Sequence, residues 1–402
     1  MSRFVLLTGL LLGAASGSLA ADRWIATWAT AQQMVKGASL PGQRGPSLIP
    51  GTAIRPSVVV PQRRFPVPAV LESVENQTIR MVLRVSLGGS KVRVRLSNAI
   101  GASAVTIGSA GVGEHALTFG GQPSTTIYAG AVSVSDPVDM KVAPLSDLVV
   151  TLHIPKKIEP PTTHLFGLRP TKVGAHTTES YYWLAGVDVL APENSGTIVA
   201  LGDSITDGDQ STPDTNGMWP AVLAQRLQAN RATRRLGIVN AGISGNRVLG
   251  NDSSALARLM HDALNQPGIE WLMLMEGIND ITGATRQPGP PTLKAEELIA
   301  AYRQIIETAH LYGVKVVGCT LTPYGGSPAF RQSGEAIRQA VNAWIRTSKA
   351  FDAVVDFDAA TRDPKDHTRF RPEVDSPDML HPANPGYKIM AEAVDLTIFS
   401  SK

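Results

Sequence analysis

The chain has 402 residues, of which 43% are apolar and 18% are charged. This length corresponds to two or three ordinary domains at ~150 residues each, and the apolar fraction is sufficient for full-sized cores. A net charge of +3 gives no support for nucleic-acid binding. The single cysteine, Cys319, excludes an intramolecular disulfide and a cysteine-rich zinc site.

Residues 1–20 have the pattern of a secretory signal peptide. Arg3 precedes an apolar run that ends near Ala15, and Ser18 and Ala20 place small residues before a cleavage site. The apolar run has about twelve residues, whereas a membrane-spanning helix needs ~20. We therefore predict export to the periplasm or the exterior, a mature chain that starts near residue 21, and no membrane span.

Residues 21–195, called the β-rich domain below, show patterns typical of short strands. Apolar and polar residues alternate over 79–86 and again over 92–96, and the turn residues Gly88, Gly89 and Ser90 stand between the two runs. This pattern predicts a hairpin with one apolar and one cationic face. Further short runs at 104–107, 125–128, 131–134 and 148–154 predict a sandwich or a jelly-roll-like fold. Residues 37–68 are rich in Pro, Gly and Arg and are predicted to form a long loop.

Residues 196–402, called the α/β domain below, alternate between strand and helix patterns. We predict strands at 197–201, 237–240, 271–275, 314–319 and 353–357, and helices at 219–229, 294–312, 335–348 and 385–398. Five buried strands that alternate with helices predict a parallel sheet covered on both faces. Such α/β folds place their sites beyond the carboxyl ends of the strands.

The join between the two domains lacks the composition of a flexible linker. Residues 176–196 are aromatic and aliphatic, whereas a free linker is polar or rich in Gly, Ser or Pro. We therefore predict that the β-rich domain packs against the α/β domain.

Four short blocks of the α/β domain carry polar residues suited to acyl transfer. Ser204, Gly242 and Asn279 follow the first three predicted strands, and Asp378 and His381 precede the last helix. Each block taken alone is better explained as an ordinary turn or helix cap. Together they supply a nucleophile, a base, a carboxylate that orients the base, and donors for a negative oxygen. No Gly-x-Ser-x-Gly elbow, His-Glu-x-x-His zinc pair or Walker-type loop occurs in the sequence.

The four blocks resemble those of the SGNH hydrolases, also called the GDSL esterase/lipase superfamily, over residues 196–402. The resemblance implies a flavodoxin-like, three-layer domain with a five-stranded parallel sheet, ester hydrolysis, and no metal or cofactor. It places the catalytic triad on Ser204, His381 and Asp378. It also implies an oxyanion hole formed by the Ser204 N–H, the Gly242 N–H and the Asn279 side chain.

The substrate is less closely specified by the sequence. Residues 24–29 and the predicted hairpin over 80–98 resemble those of two-domain secreted arylesterases or acylhydrolases from xylan-degrading bacteria, and this resemblance leaves the substrate open. We predict a small-molecule or polysaccharide ester as substrate, with a short acyl or acetyl ester, which a carbohydrate could carry, as the first hypothesis. The alternatives are a general aryl or short-chain esterase, a lipase-like acylhydrolase, and an O-acyltransferase. In a further alternative the β-rich domain is a glycan-binding module that determines the function. The sequence does not specify an oligomeric state.

Overall fold

The computed structural model describes residues 22–34, 71, 73–158, 161–250 and 253–400. The predicted signal peptide and the predicted loop at 37–68 lie outside the described residues. Among the helices of the described ranges, none has both the length and the apolar character needed to cross a bilayer.

The β-rich domain consists of short strands in mostly antiparallel pairs. The strands are β1 Arg23–Ala29, β2 Gln33–Met34, β3 Gln77–Arg84, β4 Val92–Ser97, β5 Val105–Ile107, β6 Ser109–Val112, β7 His115–Leu117, β8 Thr125–Ile127, β9 Val132–Val134, β10 Asp147–Ile154, β11 Thr162–His164, β12 Thr171–Val173, β13 His176–Thr178, β14 Tyr181–Tyr182 and β15 Leu184–Ala191. A four-stranded sheet (β1-β15-β4-β9) and a six-stranded sheet (β13-β12-β3-β10-β6-β7) contribute to one shared apolar core. This arrangement confirms the predicted β-rich, sandwich-like class.

The predicted hairpin of β3 and β4 is wrong. β3 pairs with β10 and β12 in the six-stranded sheet, and β4 pairs with β15 and β9 in the four-stranded sheet. Both strands do bury their apolar residues, such as Met81 and Val94. The intervening residues do not form a tight turn, because the Gly89 N–H donates to the Val142 carbonyl and the Ser90 N–H donates to the Leu190 carbonyl. The chain therefore crosses from one sheet to the other, and the two apolar faces meet across the core.

The α/β domain contains five parallel strands and the helices that cover them. The strands are β16 Gly196–Gly202, β17 Leu236–Gly242, β18 Ile269–Met275, β19 Lys315–Cys319 and β20 Ala353–Val355. The helices are α1 Ser204–Asp207, α2 Trp219–Ala229, α3 Ala255–Arg258, α4 Ile278–Ala284, α5 Ala295–Leu311, α6 Gln332–Thr347, α7 Phe357–Thr361 and α8 Asn384–Glu392, with a π-helical turn Leu259–Leu264 and a 3₁₀-helix Leu396–Phe399. The strand order β17-β16-β18-β19-β20 and a separate apolar core on each sheet face confirm the predicted flavodoxin-like fold.

Two predicted elements of the α/β domain end earlier than expected. The fifth strand stops at Val355, because the Asp356 side chain accepts a hydrogen bond from the Ala359 N–H and caps α7. The last predicted helix stops at Glu392, and Asp395 caps the separate 3₁₀-helix through the Thr397 N–H. In both cases the apolar pattern continues through the break, so the pattern alone does not mark it.

The β-rich domain covers the edge of the parallel sheet that β17 forms. β17 is an edge strand, and its Ile238 N–H donates to Ser86 Oγ at 3.0 Å. The Ala26 N–H donates to the Pro267 carbonyl, and Thr197 Oγ1 lies 3.1 Å from the Ala26 carbonyl oxygen. The join itself is built into β13, β14 and β15, so it is not a linker. These contacts agree with close packing of the two domains, and the boundary at 195/196 stays a prediction.

A shortened chain that begins at Gly196 should be less stable and less soluble than a chain that begins at Asp22. Removal of the β-rich domain exposes the edge of β17 and the apolar residues beside it, and an unpaired edge promotes aggregation. Size-exclusion chromatography and thermal unfolding of the two chains test this expectation. A soluble, fully active short chain with an unchanged midpoint would contradict it.

Candidate active site

Three polar side chains form a continuous hydrogen-bonded chain at the carboxyl edge of the sheet. His381 Nε2 lies 2.7 Å from Ser204 Oγ, and His381 Nδ1 lies 2.7 Å from Asp378 Oδ2. The carboxylate only accepts, so Nδ1 carries the proton and Nε2 is free to accept the Ser204 hydroxyl proton. The structure therefore brings the three predicted triad residues together in the predicted order.

Ser204 owes its position to a sharp turn after β16. Gly202 is the last residue of the strand, and Ser204 is the first residue of α1. Asp203 caps this helix, with its Oδ1 accepting from the Ile205 N–H at 2.9 Å. The hydroxyl of Ser204 is thereby presented beyond the strand end, where α/β folds place their reactive groups.

A tight loop before α8 fixes Asp378. One carboxylate oxygen accepts from the Leu380 and His381 N–H groups, each at 3.0 Å, and the other accepts from Gln210 Nε2 at 3.0 Å. Burial raises the pKa of Asp378, but the positive charge of His381 and these donors outweigh that effect and hold its pKa below the usual value. Asp378 therefore stays ionised and can stabilise an imidazolium on His381.

The predicted role of Gly242 as an oxyanion donor is not supported by this geometry. The Gly242 N–H already donates to Asn240 Oδ1 at 2.8 Å. A Cβ at this position would lie 2.3 Å from the Asp207 backbone nitrogen. Glycine is needed here because α1 packs directly on the backbone of Gly242. The role of Gly242 is therefore to allow this close approach.

The turn at residues 243–246 lies beside Asn279. The Asn279 side chain donates to the Asn246 carbonyl at 2.9 Å, and an amide NH₂ has a second donor. Gly245 in this turn has a φ of +80°, and a Cβ there would meet nothing within 4 Å. A positive φ is typical of glycine. The sequence contains two glycines in this block, Gly242 and Gly245, and does not show which of them has a positive φ.

Arg258, which the sequence analysis missed, connects the strand ends behind the site. Its buried guanidinium donates to the Gly202 carbonyl at 2.9 Å, the Ala241 carbonyl at 2.6 Å and Asn246 Oδ1 at 3.0 Å. It also pairs with Asp262 at 3.2 Å. One side chain thus links β16, β17 and the turn at 243–246.

Two further carboxyl groups are buried beneath the nucleophile. Burial raises the pKa of Asp203 to about 7, although the Ile205 N–H opposes this effect. Burial and the nearby charge of Asp203 raise the pKa of Glu276 well above its usual value. Glu276 Oε2 lies 3.6 Å from the Arg258 guanidinium. Burial therefore favours the protonated form of both carboxyl groups.

The β-rich domain also reaches this region. His164 Nε2 lies 3.0 Å from Oδ1 of Asp207, the last residue of α1. The sequence does not reveal the pairing of His164 with Asp207, because the two residues are separated by 43 positions and lie in different domains. No local pattern marks such a pair.

The described ranges contain no group of three or more His, Cys, Asp or Glu residues arranged to hold a metal ion. The tryptophans mainly pack: Trp219 contacts Phe357, Trp271 contacts Phe399, and Trp344 contacts Phe351.

Comparison with known proteins gives one family match. Residues 198–394 match the model of the family described as GDSL-like Lipase/Acylhydrolase. No curated protein matches the chain.

Several solved structures are similar to about half of this chain. A GDSL-like lipase from Bacteroides thetaiotaomicron is 18% identical, with a TM-score of 0.38, over 50% of this chain and 87% of its own. A member of the lipolytic protein G-D-S-L family from Veillonella parvula is 18% identical, with a TM-score of 0.36, over 50% and 96%. A variant of the acetyl-xylooligosaccharide esterase Axe2 from Geobacillus stearothermophilus is 23% identical, with a TM-score of 0.39, over 52% and 95%.

The substitution Asp203→Asn should flatten the pH dependence of stability between about pH 4 and pH 7. The pKa of Asp203 rises from 3.8 to about 7 on folding. In this window the folded state holds a proton that the unfolded chain has released, so stability falls as the pH rises. A pKa shift of this size corresponds to a decrease of up to about 4 kcal/mol in the free energy of unfolding across this window.

Urea unfolding across that pH window measures the effect. Asp139→Asn is the matched control, because its side chain is 85% exposed. Parallel curves for the wild-type and Asp203→Asn proteins would contradict the expectation.

Proposed function

We propose that the chain is a carboxylic ester hydrolase that acts through a triad of Ser204, His381 and Asp378, since residues 198–394 match the GDSL-like lipase/acylhydrolase family. The observation that carries this proposal is the unbroken hydrogen-bonded chain from Asp378 through His381 to Ser204, with both distances at 2.7 Å. A base within hydrogen-bond reach of the nucleophile, oriented by a carboxylate, is the arrangement that serine acyl transfer requires.

The proposed reaction has two halves. His381 Nε2 takes the proton of Ser204 as its Oγ attacks the ester carbonyl. The tetrahedral intermediate then expels the alcohol, which receives the proton from His381, and an acyl-enzyme remains. Water repeats the sequence, with His381 as its base, and releases the carboxylic acid and the free Ser204 hydroxyl. Asp378 stabilises the imidazolium in both halves.

We assign the oxyanion hole to the Ser204 N–H, the Asn279 side chain and the Gly245 N–H. Gly245 takes the place first predicted for Gly242, whose N–H is engaged by Asn240. Two contacts support this assignment. The preceding residue, Ser244, donates its N–H to Asp207 of the nucleophile helix at 3.0 Å, and the following residue, Asn246, accepts from Asn279 at 2.9 Å. Gly245 therefore lies between the nucleophile helix and the amide donor.

The proposed substrate is a short acyl ester, with the acetyl ester of a carbohydrate as its natural form. The neighbourhood of His381 is polar: Asp209 Oδ2 lies 3.8 Å from Nε2, and Gln210 binds Asp378. Polar groups beside the base suit a hydroxyl-rich alcohol better than a long acyl chain. The signal peptide pattern of residues 1–20 supports export, where polysaccharide esters are available.

The substitution Ser204→Ala should abolish hydrolysis of nitrophenyl acetate without unfolding the protein. Ser204 is buried and small, so the change removes the nucleophile and leaves the packing nearly intact. Ser146→Ala is the matched control, because the Ser146 hydroxyl donates only to the Ala143 carbonyl in an exposed turn of the β-rich domain. Substantial activity in a folded Ser204→Ala protein would refute the assignment.

A series of nitrophenyl esters of increasing acyl length, assayed beside acetylated xylan, tests the proposed substrate. We expect kcat/KM to be highest for acetate and to fall steeply beyond butyrate, with release of acetate from xylan. A maximum at long acyl chains would identify a lipase-like acylhydrolase instead. Hydrolysis of aryl acetates without any release from xylan would identify a general aryl esterase.

A further inference from the structure

A buried His–Asp pair crosses the boundary between the two domains. His164, the last residue of β11, and Asp207, the last residue of α1, are each 3% exposed. His164 Nδ1 lies 2.9 Å from the Ala31 carbonyl oxygen, and its Nε2 lies 3.0 Å from Asp207 Oδ1. Both nitrogens of the ring are therefore engaged.

The partners of His164 determine how many protons the pair holds. The Ala31 carbonyl can only accept, so Nδ1 must carry a proton. An ionised Asp207 can also only accept, so Nε2 must carry a second proton. If His164 is instead neutral, the proton must reside on Asp207. In either case, the two hydrogen bonds exist together only while the pair holds one proton more than a neutral imidazole and a carboxylate.

Asp207 connects this pair to both parts of the proposed reaction centre. It ends the short helix that begins with Ser204. Its second oxygen, Oδ2, accepts from the Ser244 N–H at 3.0 Å. Ser244 directly precedes Gly245 in the turn that contacts Asn279. The carboxylate of Asp207 thus links the nucleophile helix to the turn that supplies the oxyanion donor.

We propose that His164 is a positioning residue for ester hydrolysis, supplied by the β-rich domain and acting through Asp207 on the Ser204 helix and the 243–246 turn. The inference rests on the function proposed above. It gives the β-rich domain a role in positioning the reacting groups, separate from any glycan binding. A displacement of about 1 Å at a reacting group can cost on the order of 10²-fold in rate, so a link between these two elements affects kcat.

The charged groups around His164 favour the protonated pair. Burial lowers the pKa of His164, but the charge and the hydrogen bond of Asp207 outweigh it and raise its pKa above 6.5, helped by the Ala31 carbonyl and the charge of Asp262. The Tyr181 ring stacks on His164 at 6.4 Å and donates its hydroxyl to the Val82 carbonyl.

Two arginines face the same inter-domain cavity as His164. They are Arg84 and Arg169, and both bind Asp147, at 3.0 and 2.7 Å. Arg169 is also paired with Asp214. Their charges are therefore largely balanced by carboxylates other than Asp207.

The proton held by the His164–Asp207 pair makes kcat depend on pH. The extra proton is bound below the raised pKa of His164 and is lost as the pH rises through it. Its loss removes one of the two hydrogen bonds and frees the end of the Ser204 helix. We therefore expect kcat to decline on the alkaline side of the pH profile.

Two substitutions separate positioning from folding. His164→Phe keeps a ring but removes both hydrogen bonds. Asp207→Asn keeps both, because the new amide NH₂ can donate to Nε2 of a neutral His164 while its oxygen still accepts from the Ser244 N–H. It also removes the need for the extra proton. His310→Phe is the matched control: it breaks a His–Asp pair with Asp352, of 2.8 Å, at the opposite edge of the sheet.

The measurement is kcat and KM for nitrophenyl acetate against pH, with kcat normalised to active sites by the nitrophenol burst. We expect His164→Phe to lower kcat by about 10- to 100-fold with KM changed less than about 3-fold, and His310→Phe to leave both unchanged. Asp207→Asn should lose the alkaline decline of kcat, measured relative to its own value at neutral pH.

Two results would overturn the proposal. One is a folded His164→Phe protein with wild-type kcat. The other is an Asp207→Asn pH profile that superimposes on the wild-type profile, and this result decides the matter if His164→Phe does not fold. Activity of Ser204→Ala is the separate readout of the function itself. An inactive Ser204→Ala protein together with an unaffected His164→Phe protein refutes only the role of His164.

Discussion

The register of the parallel sheet is the constraint on which the rest of the α/β domain depends. Gly202 lies opposite both Gly242 and Met275, so β16, β17 and β18 end at one level. The chain after each of these strands therefore enters the same small region. Ser204, the 243–246 turn and Asn279 are neighbours for this reason, although they are far apart in sequence. A slip of one strand would separate them.

Buried charges maintain that alignment at a cost in stability. The Arg258 guanidinium binds the Ala241 and Gly202 carbonyls at the ends of two strands, and the Gly202 carbonyl also accepts from the Ile243 N–H. Burying the charge is expensive unless it is paired, and Asp262 and Glu276 provide carboxyl groups near it. Burial in the same region raises the pKa of Asp203. We interpret this cluster as a rigid support for the nucleophile turn, since a preorganised site lowers the cost of reaction.

The sequence predicted the elements well and their partners less well. Hydrophobic periodicity located the five strands of the parallel sheet. The residues after the strand ends gave Ser204 and Asn279, and the block before the last helix gave Asp378 and His381. The prediction of a β3–β4 hairpin was wrong because the alternation of apolar and polar residues indicates which residues are buried. It does not indicate which strand is adjacent. Gly242 was predicted as an oxyanion donor because a sequence does not show that its N–H is engaged by Asn240. Arg258 and His164 were missed because their contacts join distant segments.

The central claim is that Ser204 is the nucleophile and that His381 activates it. A fluorophosphonate probe tests this directly, because an activated serine displaces fluoride from phosphorus and forms a stable P–O bond, while His381 takes the proton. Intact-mass measurement and peptide mapping of the full mature chain should show one adduct, located on Ser204. His381→Ala should slow the formation of this adduct at least about 10²-fold. An adduct on another residue, or none on the folded active enzyme, would contradict the account.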